Sequence, residues 1–340
     1  MKVVSDYKKF DAYKLEVDEK LVPLFKEVID EAFAKVNQTL LKRYQILMWS
    51  FYGFGALMFL LGIGLFFNSF DYGLLIISLF GIISAIIGAI FNIKIYKVKK
   101  SVYNEINQNI NDNLLYKKAF EILEPKFKYL GKSENIITPR EIEVYRWDVP
   151  AGAEIEKVSH EKSWIIDGKY PVGLVNVKWF QIIERSNNKE KEIRYYYSSL
   201  IKIDTRLLKE KGFSFTLFKS FSFWSNLQKI KLENSDFVKT FKVRSDDELK
   251  IRQMYTPLSM ELSMQRYQDN KNSKVTKFHI YSTGEYIYYT FSSDMGFMEL
   301  DIPFTLNKNK VVNKTYYDFM IDTYTFYYLL SIIYIPNYLD

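Results

Sequence analysis

ILMWSFYGFGALMFLLGIGLFFNSFDYGLLIISLFGIISAIIGAIFNI, residues 46–93, carries a single charged side chain, Asp71. On either side of NSFD, residues 46–67 and 72–93 are each 22 residues long and free of charge. As a helix, each would run about 33 Å, enough to cross a hydrocarbon core of about 30 Å. One unbroken helix would instead bury Asp71 at mid-membrane, where a carboxylate costs roughly 2.5–3.5 kcal/mol. At a wet corner it costs almost nothing, and Asn68, Ser69 and Asp71 are all turn formers. The stretch therefore predicts a transmembrane helical hairpin: spans at 46–67 and 72–93, joined by an extracytoplasmic turn at 68–71.

Flanking charge sets the orientation. Lys42 and Arg43 precede the first span, and Lys94, Lys97, Lys99 and Lys100 follow the second, whereas the turn has no basic residue. By the positive-inside rule both termini face the cytoplasm of a two-pass protein in the cell membrane. The first twenty residues, MKVVSDYKKFDAYKLEVDEK, lack an apolar h-region, so the first span is expected to act as a signal anchor. The same six basic residues are placed to meet anionic headgroups, at about 1 kcal/mol each, which makes membrane lipid the first expected partner. Within the second span Gly81, Ala85 and Ala89 recur every fourth residue, with Ser84 and Gly88 beside them. Small residues let helix backbones approach closely, so these five mark a helix-packing face, within the hairpin or between protomers. Neither span holds an ionisable residue at depth, which argues against a proton relay or ion path.

Apolar residues recur at helical spacing on both sides of the hairpin. Before it the stripe runs from Leu21 through Phe25, Val28, Ile29, Ala32, Phe33 and Val36 to Tyr44, starting near Pro23. After it the stripe runs through Ile95, Val98, Val102, Ile106, Ile110, Leu114 and Leu123, with Pro125 and Gly131 at its end. Residues 1–45 are thus read as a cytoplasmic amphipathic helix and 94–130 as a stalk helix. Packing the two as an antiparallel coiled coil would bury both stripes; the first could alternatively lie on the membrane surface.

From 131 to 340 the period changes to that of an α+β domain built on an antiparallel sheet with packed helices. KYPVGLVNVKWFQIIER (169–185) and KEIRYYYSSLIKIDTR (191–206) form one hairpin, with Ile193, Tyr195, Tyr197, Ser199, Ile201 and Ile203 on one face. KFHIYSTGEYIYYTF (277–291) forms a second, turning at Thr283-Gly284. Helix starts are marked by a Ser245–Glu248 capping box and by Thr-Pro pairs at 138–139 and 256–257. The acidic trio Asp246, Asp247 and Glu248 suits that helix N-terminus rather than a metal. Residues 316–336 form a final helix, with Asp318 and Asp322 on its first turns; its uncharged run is too short to span and is expected to pack on the sheet.

KIKLENSDFVKTFKVRSDDELKIRQMYTPLSMELSM (229–264) resembles the bacterial membrane-protein family catalogued as domain of unknown function 3137. The resemblance is carried by Leu232, Glu233, Asp236, Phe237, Phe241, Val243, Asp246, Asp247, Thr256 and Pro257, and extends more weakly over 165–335. It implies two spans followed by a cytoplasmic domain, and supplies no catalytic residues or cofactor. Members are often encoded near LemA-type coiled-coil membrane proteins, which makes such a protein an expected partner by association.

Chemistry is sparse elsewhere. Without cysteine there are no disulfides, zinc-thiolate sites or thiol nucleophiles. The net charge of +7 divides into nine basic and eight acidic residues over 1–45, Asp71, and 38 basic against 31 acidic over 94–340. That spread, with no nucleic-acid-binding motif, predicts no nucleic-acid partner. His160 and His279 are isolated, and no phosphate loop or nucleophile elbow appears. Trp164, Trp179 and Trp224 could line a binding surface, but aromatics in a β-rich domain are more often core. The sequence thus predicts no catalytic, cofactor or metal residues. It is read as a non-enzymatic interaction or scaffold module engaging a protein partner or its own copies. The alternatives are a lipid- or metabolite-binding subunit, an enzyme with an unrecognised pocket and, more weakly, a channel.

Overall fold

The structure is a computed structural model that describes residues 7–69, 72, 75–112, 115–133, 136–146, 148–159, 161–184, 191–208, 212–218, 227–275, 277–293, 296–336 and 338. The chain divides into two compact units. One is α+β and comprises Met1–Pro23, Leu114–Asp301 and Thr315–Asp340; the other is helical and comprises Leu24–Asn113 and Ile302–Lys314.

In the helical unit, α3 (Gln38–Ser69) and α4 (Leu75–Asp112) form an antiparallel pair, preceded by α2 (Val22–Ala34). Both α3 and α4 are long and apolar enough to cross a membrane. The predicted turn is displaced along the chain: Asn68 and Ser69 are the last helical residues of α3 and α4 begins at Leu75, while Asp71 lies outside the described residues. The antiparallel run continues past the apolar stretch: Tyr44 meets Phe91, and the Lys35 ammonium meets the Glu105 carboxylate at 2.6 Å. A single amphipathic helix over 1–45 is not found. α2 is separate from α3, which starts at a cap where Asn37 Oδ1 accepts from the Leu40 amide. Pro23 sits in the first turn of α2, where its missing amide costs nothing. Residues 302–314 also belong here: Phe304 packs on Tyr96, and Lys308 pairs with Asp30 at 2.6 Å.

The expected stalk over 94–130 stops early. α4 ends at Asp112, and α5 (Leu115–Leu123) and β1 (Phe127–Ser133) belong to the α+β unit. Gly131, taken as the domain boundary, is instead a bulge inside β1, with φ of 97° that a side chain would resist. The first helix, α1 (Phe10–Lys20), joins the same unit. It has no apolar stripe and is held by specific bonds: Tyr13 OH lies 2.6 Å from Thr323 Oγ1, and the Lys8 amide donates to Tyr327 OH.

Among the described residues, ten strands make one antiparallel sheet in the order β1-β3-β4-β5-β10-β9-β6-β8-β7, with β2 pairing off this path on β4. They are β1, β2 (Glu154–Val158), β3 (Glu161–Ile166), β4 (Tyr170–Glu184), β5 (Lys191–Asp204), β6 (Ser214–Leu217), β7 (Gln228–Lys229), β8 (Arg244–Ser245), β9 (Phe278–Thr283) and β10 (Tyr286–Phe291). Both predicted hairpins are present, as β4–β5 and β9–β10, the latter turning at Gly284 with φ of 87°. One face carries Trp164, Val172, Ile201, Ile203 and Tyr289 beneath α5 and α10 (Lys308–Tyr334), with Trp164 stacked on Phe326 at 4.0 Å. On the other, Val175, Val177, Trp179 and Leu200 pack against Ile137 and Ile142 of the segment around α6 (Pro139–Val144). Ile136 approaches this face so closely that a Cβ on Gly173 would lie 2.8 Å from it. Trp164 and Trp179 are therefore core, not surface; Trp224 lies outside the described residues.

Three further helices carry caps. α7 (Ser235–Phe241) is capped by Asn234, and α9 (Pro257–Gln268) by Thr256 ahead of its N1 proline. Thr138 and Glu141 form a complete capping box on α6. For α8 (Glu248–Met254) the cap is Asp247, two residues later than the Ser245 of the predicted box. Ser245 cannot serve, because it is drawn into the sheet and its hydroxyl donates to the Ser214 carbonyl.

Candidate functional site

The residues singled out by sequence on the helical unit fall into two sets. Lys42, Arg43, Lys94, Lys97 and Lys100 are exposed, while Lys99 is half-buried with its ammonium over the Phe304 ring. The Lys94 ammonium sits 5.2 Å above the ring of Tyr44, the neighbour of Arg43, so both basic clusters lie at one end of the α3–α4 pair. The small residues lie between the helices of the hairpin. A Cβ on Gly55 would come within 2.8 Å of the Gly81 carbonyl, and one on Gly81 within 2.7 Å of the Phe59 amide. The Ser84 hydroxyl donates to the Phe51 carbonyl at 2.8 Å, and Gly88 leaves room for the Tyr52 ring. Ala85 borders the Gly55 contact; Ala89 is half-buried.

The α+β unit holds a cavity of about 440 Å³ that no motif announced. Its wall includes Lys274, Ser292, Ser293, Asp301 and Asp318, with Val275 and Phe297 supplying apolar surface. One side is the segment after β10, and buried polar groups grip this segment from below and above. Asn176 Nδ2 donates to the Phe297 carbonyl at 2.9 Å. The Lys162 ammonium and the Tyr116 hydroxyl both donate to the Met298 carbonyl. From α10, Asp322 Oδ2 accepts from the Met298 amide at 2.9 Å, and Asp318 Oδ2 from the Asp301 amide at 2.8 Å. Met298 adopts a φ of 57°, uncommon for a residue with a side chain and sustained here by these bonds. Asp318 and Asp322 thus lie mid-helix, not on the first turns, since α10 begins eight or more residues earlier.

Burial shapes the charges of this clamp. Desolvation pushes the Asp322 carboxyl up to about 7, against the opposing pull of the Lys274 ammonium 2.6 Å away. Desolvation likewise brings the Lys162 ammonium down to about 8, although Glu299 and Asp322 favour its charge. Lys274 is also penalised by burial, but Asp322 and Asp318 outweigh this and raise it. What this arrangement does physically is fix one backbone segment in the wall of the cavity.

A second buried cation lies under α9. The Arg266 guanidinium is wholly buried, donating to Ser331 Oγ and Tyr324 OH at 2.7 Å and to Asp269 at 3.2 Å. The rings of Tyr7, Tyr324, Tyr327 and Tyr328 surround it, the nearest centroid at 4.3 Å. A planar cation among rings suits arginine and not lysine. Arg266, Lys162 and Lys274 carry no signal in the sequence, because apart from Asp269 beside Arg266 their partners lie far along the chain. His279 lies in β9 with its ring against Tyr281, and His160 is outside the described residues. Among the described residues, no group of three or more His, Asp or Glu is placed to hold a metal ion.

Residues 182–324 match the family model described as "Protein of unknown function (DUF3137)", the family that the 229–264 stretch resembles. The match takes in every cavity-lining residue named above. No curated protein and no solved structure matches the chain.

Proposed function

We propose that this chain, with its DUF3137 region, is a two-pass membrane protein whose α+β unit serves as a cytoplasmic, non-enzymatic interaction module. The observation that carries the proposal is the unburied apolar surface of the hairpin. Only 11% of the most apolar stretch of α3 and 22% of that of α4 is buried, which in water would leave an extensive greasy surface. In a bilayer the same surface is solvated, and the basic residues at the open end of the pair meet anionic headgroups. The glycine and serine contacts use the small-residue face within the hairpin. The module then engages a protein partner, of which a LemA-type coiled-coil protein is one candidate, or copies of itself.

The cavity beside Asp318 favours a second reading, in which the α+β unit binds a small polar metabolite. Crosslinking in cells followed by purification in mild detergent separates the two. A stoichiometric partner or homo-oligomer supports the interaction module. A lone monomer carrying a bound metabolite in native mass spectrometry contradicts it and supports the second reading.

A further inference from the structure

We infer that the β4–β5 ribbon is a self-pairing surface, on which β5 of one copy continues antiparallel into β5 of a second copy about a two-fold axis at Ile193. The inference names the contact for the own-copies form of the interaction module and rests on that reading.

The ribbon extends beyond the rest of its sheet. β4 and β5 pair continuously from Val172 opposite Ile203 to Glu184 opposite Lys191. β10 covers β5 only from Ser199 to Asp204, and β2 reaches β4 only as far as Phe180. After β10 the Ser292 hydroxyl just reaches the Tyr197 carbonyl at 3.4 Å, where cover ends. Among the described residues, no strand therefore pairs with the outer edge of β5 over 191–196. A two-stranded ribbon is marginally stable alone, and an open edge is a template for another strand. Such edges are ordinarily blunted by proline, a bulge or charge. Residues 191–198 have no proline, and their register with β4 is unbroken. Their charges, Lys191, Glu192 and Arg194, are of mixed sign, which repels a strand of one charge but can match a second copy.

The ribbon also leaves apolar side chains uncovered on the face that is core further along. Ile182 and Ile193 lie directly opposite each other and are 52% and 53% exposed, and Tyr195 is 48% exposed. The face read as one continuous strand surface is thus buried at Ser199, Ile201 and Ile203 and bare at Ile193 and Tyr195.

Charge selects the occupant and the register. A two-fold axis perpendicular to a sheet preserves its faces, so opposed residues must share a face and the axis must pass through a residue. At Glu192 or Arg194 it would set like charges directly against each other, which is destabilising. At Tyr195 it leaves Glu192 opposite Ser198 and requires the Tyr197 carbonyl that Ser292 already holds. At Ile193 it sets Glu192 opposite the second copy's Arg194, and Arg194 opposite its Glu192. The in-strand Glu192–Arg194 pair at 2.9 Å is thereby complemented by two cross-strand pairs. Ile193 then packs on Ile193, and Lys191 lies over Tyr195, much as Lys178 already does at 4.0 Å. So short a contact falls below the roughly 1,200 Å² of a standard soluble interface; shared anchorage in one membrane supplies the missing effective concentration.

The chain lacks cysteine, so oxidative crosslinking of the full-length protein in liposomes is a direct test. Ile193→Cys places the two thiols on the axis, within about the 5 Å that opposed Cβ atoms span, and is expected to form a disulfide-linked dimer. Leu249→Cys, 67% exposed on α8, is the collision control and stays monomeric. Adding Arg194→Glu to Ile193→Cys should slow crosslinking about tenfold, since two attractive pairs become repulsive. Adding Glu192→Arg as well should restore it. The inference is overturned if Ile193→Cys crosslinks no faster than Leu249→Cys, or if the double reversal fails to rescue. Amine crosslinking of the wild type separates the two levels. An oligomer there without Ile193 dimers overturns this surface alone. No oligomer and no partner overturns the interaction reading as well.

Discussion

Asp322 and Lys162 hold the two sides of Met298, one accepting from its amide and the other donating to its carbonyl. The direction of each shift fixes how the fold responds to pH. Asp322 is raised in the folded state, so folding favours its protonated form; that stability is present below its unfolded value and lost as pH rises toward about 7. Lys162 is lowered, so its burial penalty is greatest below about 8 and is relieved above that. The two limbs meet between about 7 and about 8, where both groups are charged and the clamp contributes least. Asp322→Asn should therefore flatten the acid limb. Thermal unfolding of the wild type should weaken by on the order of a few kcal/mol between pH ~5 and ~7.5, and the variant should change far less. Parallel curves for the two proteins would refute the assignment. None of this clamp is legible locally. Lys162 and Met298 are 136 residues apart, and Asp322 reads in sequence as an ordinary helical carboxylate.

Among the elements, those whose signals are local were readable and those that depend on distant partners were not. The caps at Thr138 and Thr256 lie within three residues of the amides they accept from. At Ser245 the same grammar misplaced the cap by two residues, because pairing of β8 with β6 draws Ser245 into the sheet. α1 was not told apart from the expected single helix over 1–45, because only Tyr13 and Val17 of its eleven residues are buried, too few to form a stripe of its own. The apolar pattern located the paired stretches of α3 and α4 and placed their ends at the turn within a few residues. At the other end both helices run well past it, α3 starting at Gln38 and α4 ending at Asp112. Their pairing surface invites a matched comparison. Gly55→Val places a side chain against the Gly81 backbone, whereas a Cβ at Gly53 meets nothing within 4 Å. Overpacking costs about 1–3 kcal/mol, so Gly55→Val should unfold earlier in mixed micelles by circular dichroism, and Gly53→Val should track the wild type. Equal behaviour of the two would remove the glycines from the packing face.

At the scale of the whole molecule, the chain combines a solvation requirement with a hydrogen-bonded sheet. Two long helices expose apolar residues that water would not tolerate, including Leu60, Phe67, Phe80 and Ile86. One face of the sheet is packed under α5 and α10, and part of the other under the segment around α6. The apolar run made the hairpin readable at once. The division into units was not, because residues 1–23 and 302–314 join their units through contacts between distant segments. If the hairpin is inserted as its flanking charges dictate, the α3–α4 turn and the sheet lie on opposite sides of the bilayer. Single cysteines in this cysteine-free chain test that most directly, using a maleimide that cannot cross membranes. Tyr72→Cys, at a position 77% exposed beside the turn, should label in intact cells. Lys239→Cys, equally exposed on α7, should label only after permeabilisation. Labelling of Lys239→Cys from outside, with Tyr72→Cys protected, would contradict the account.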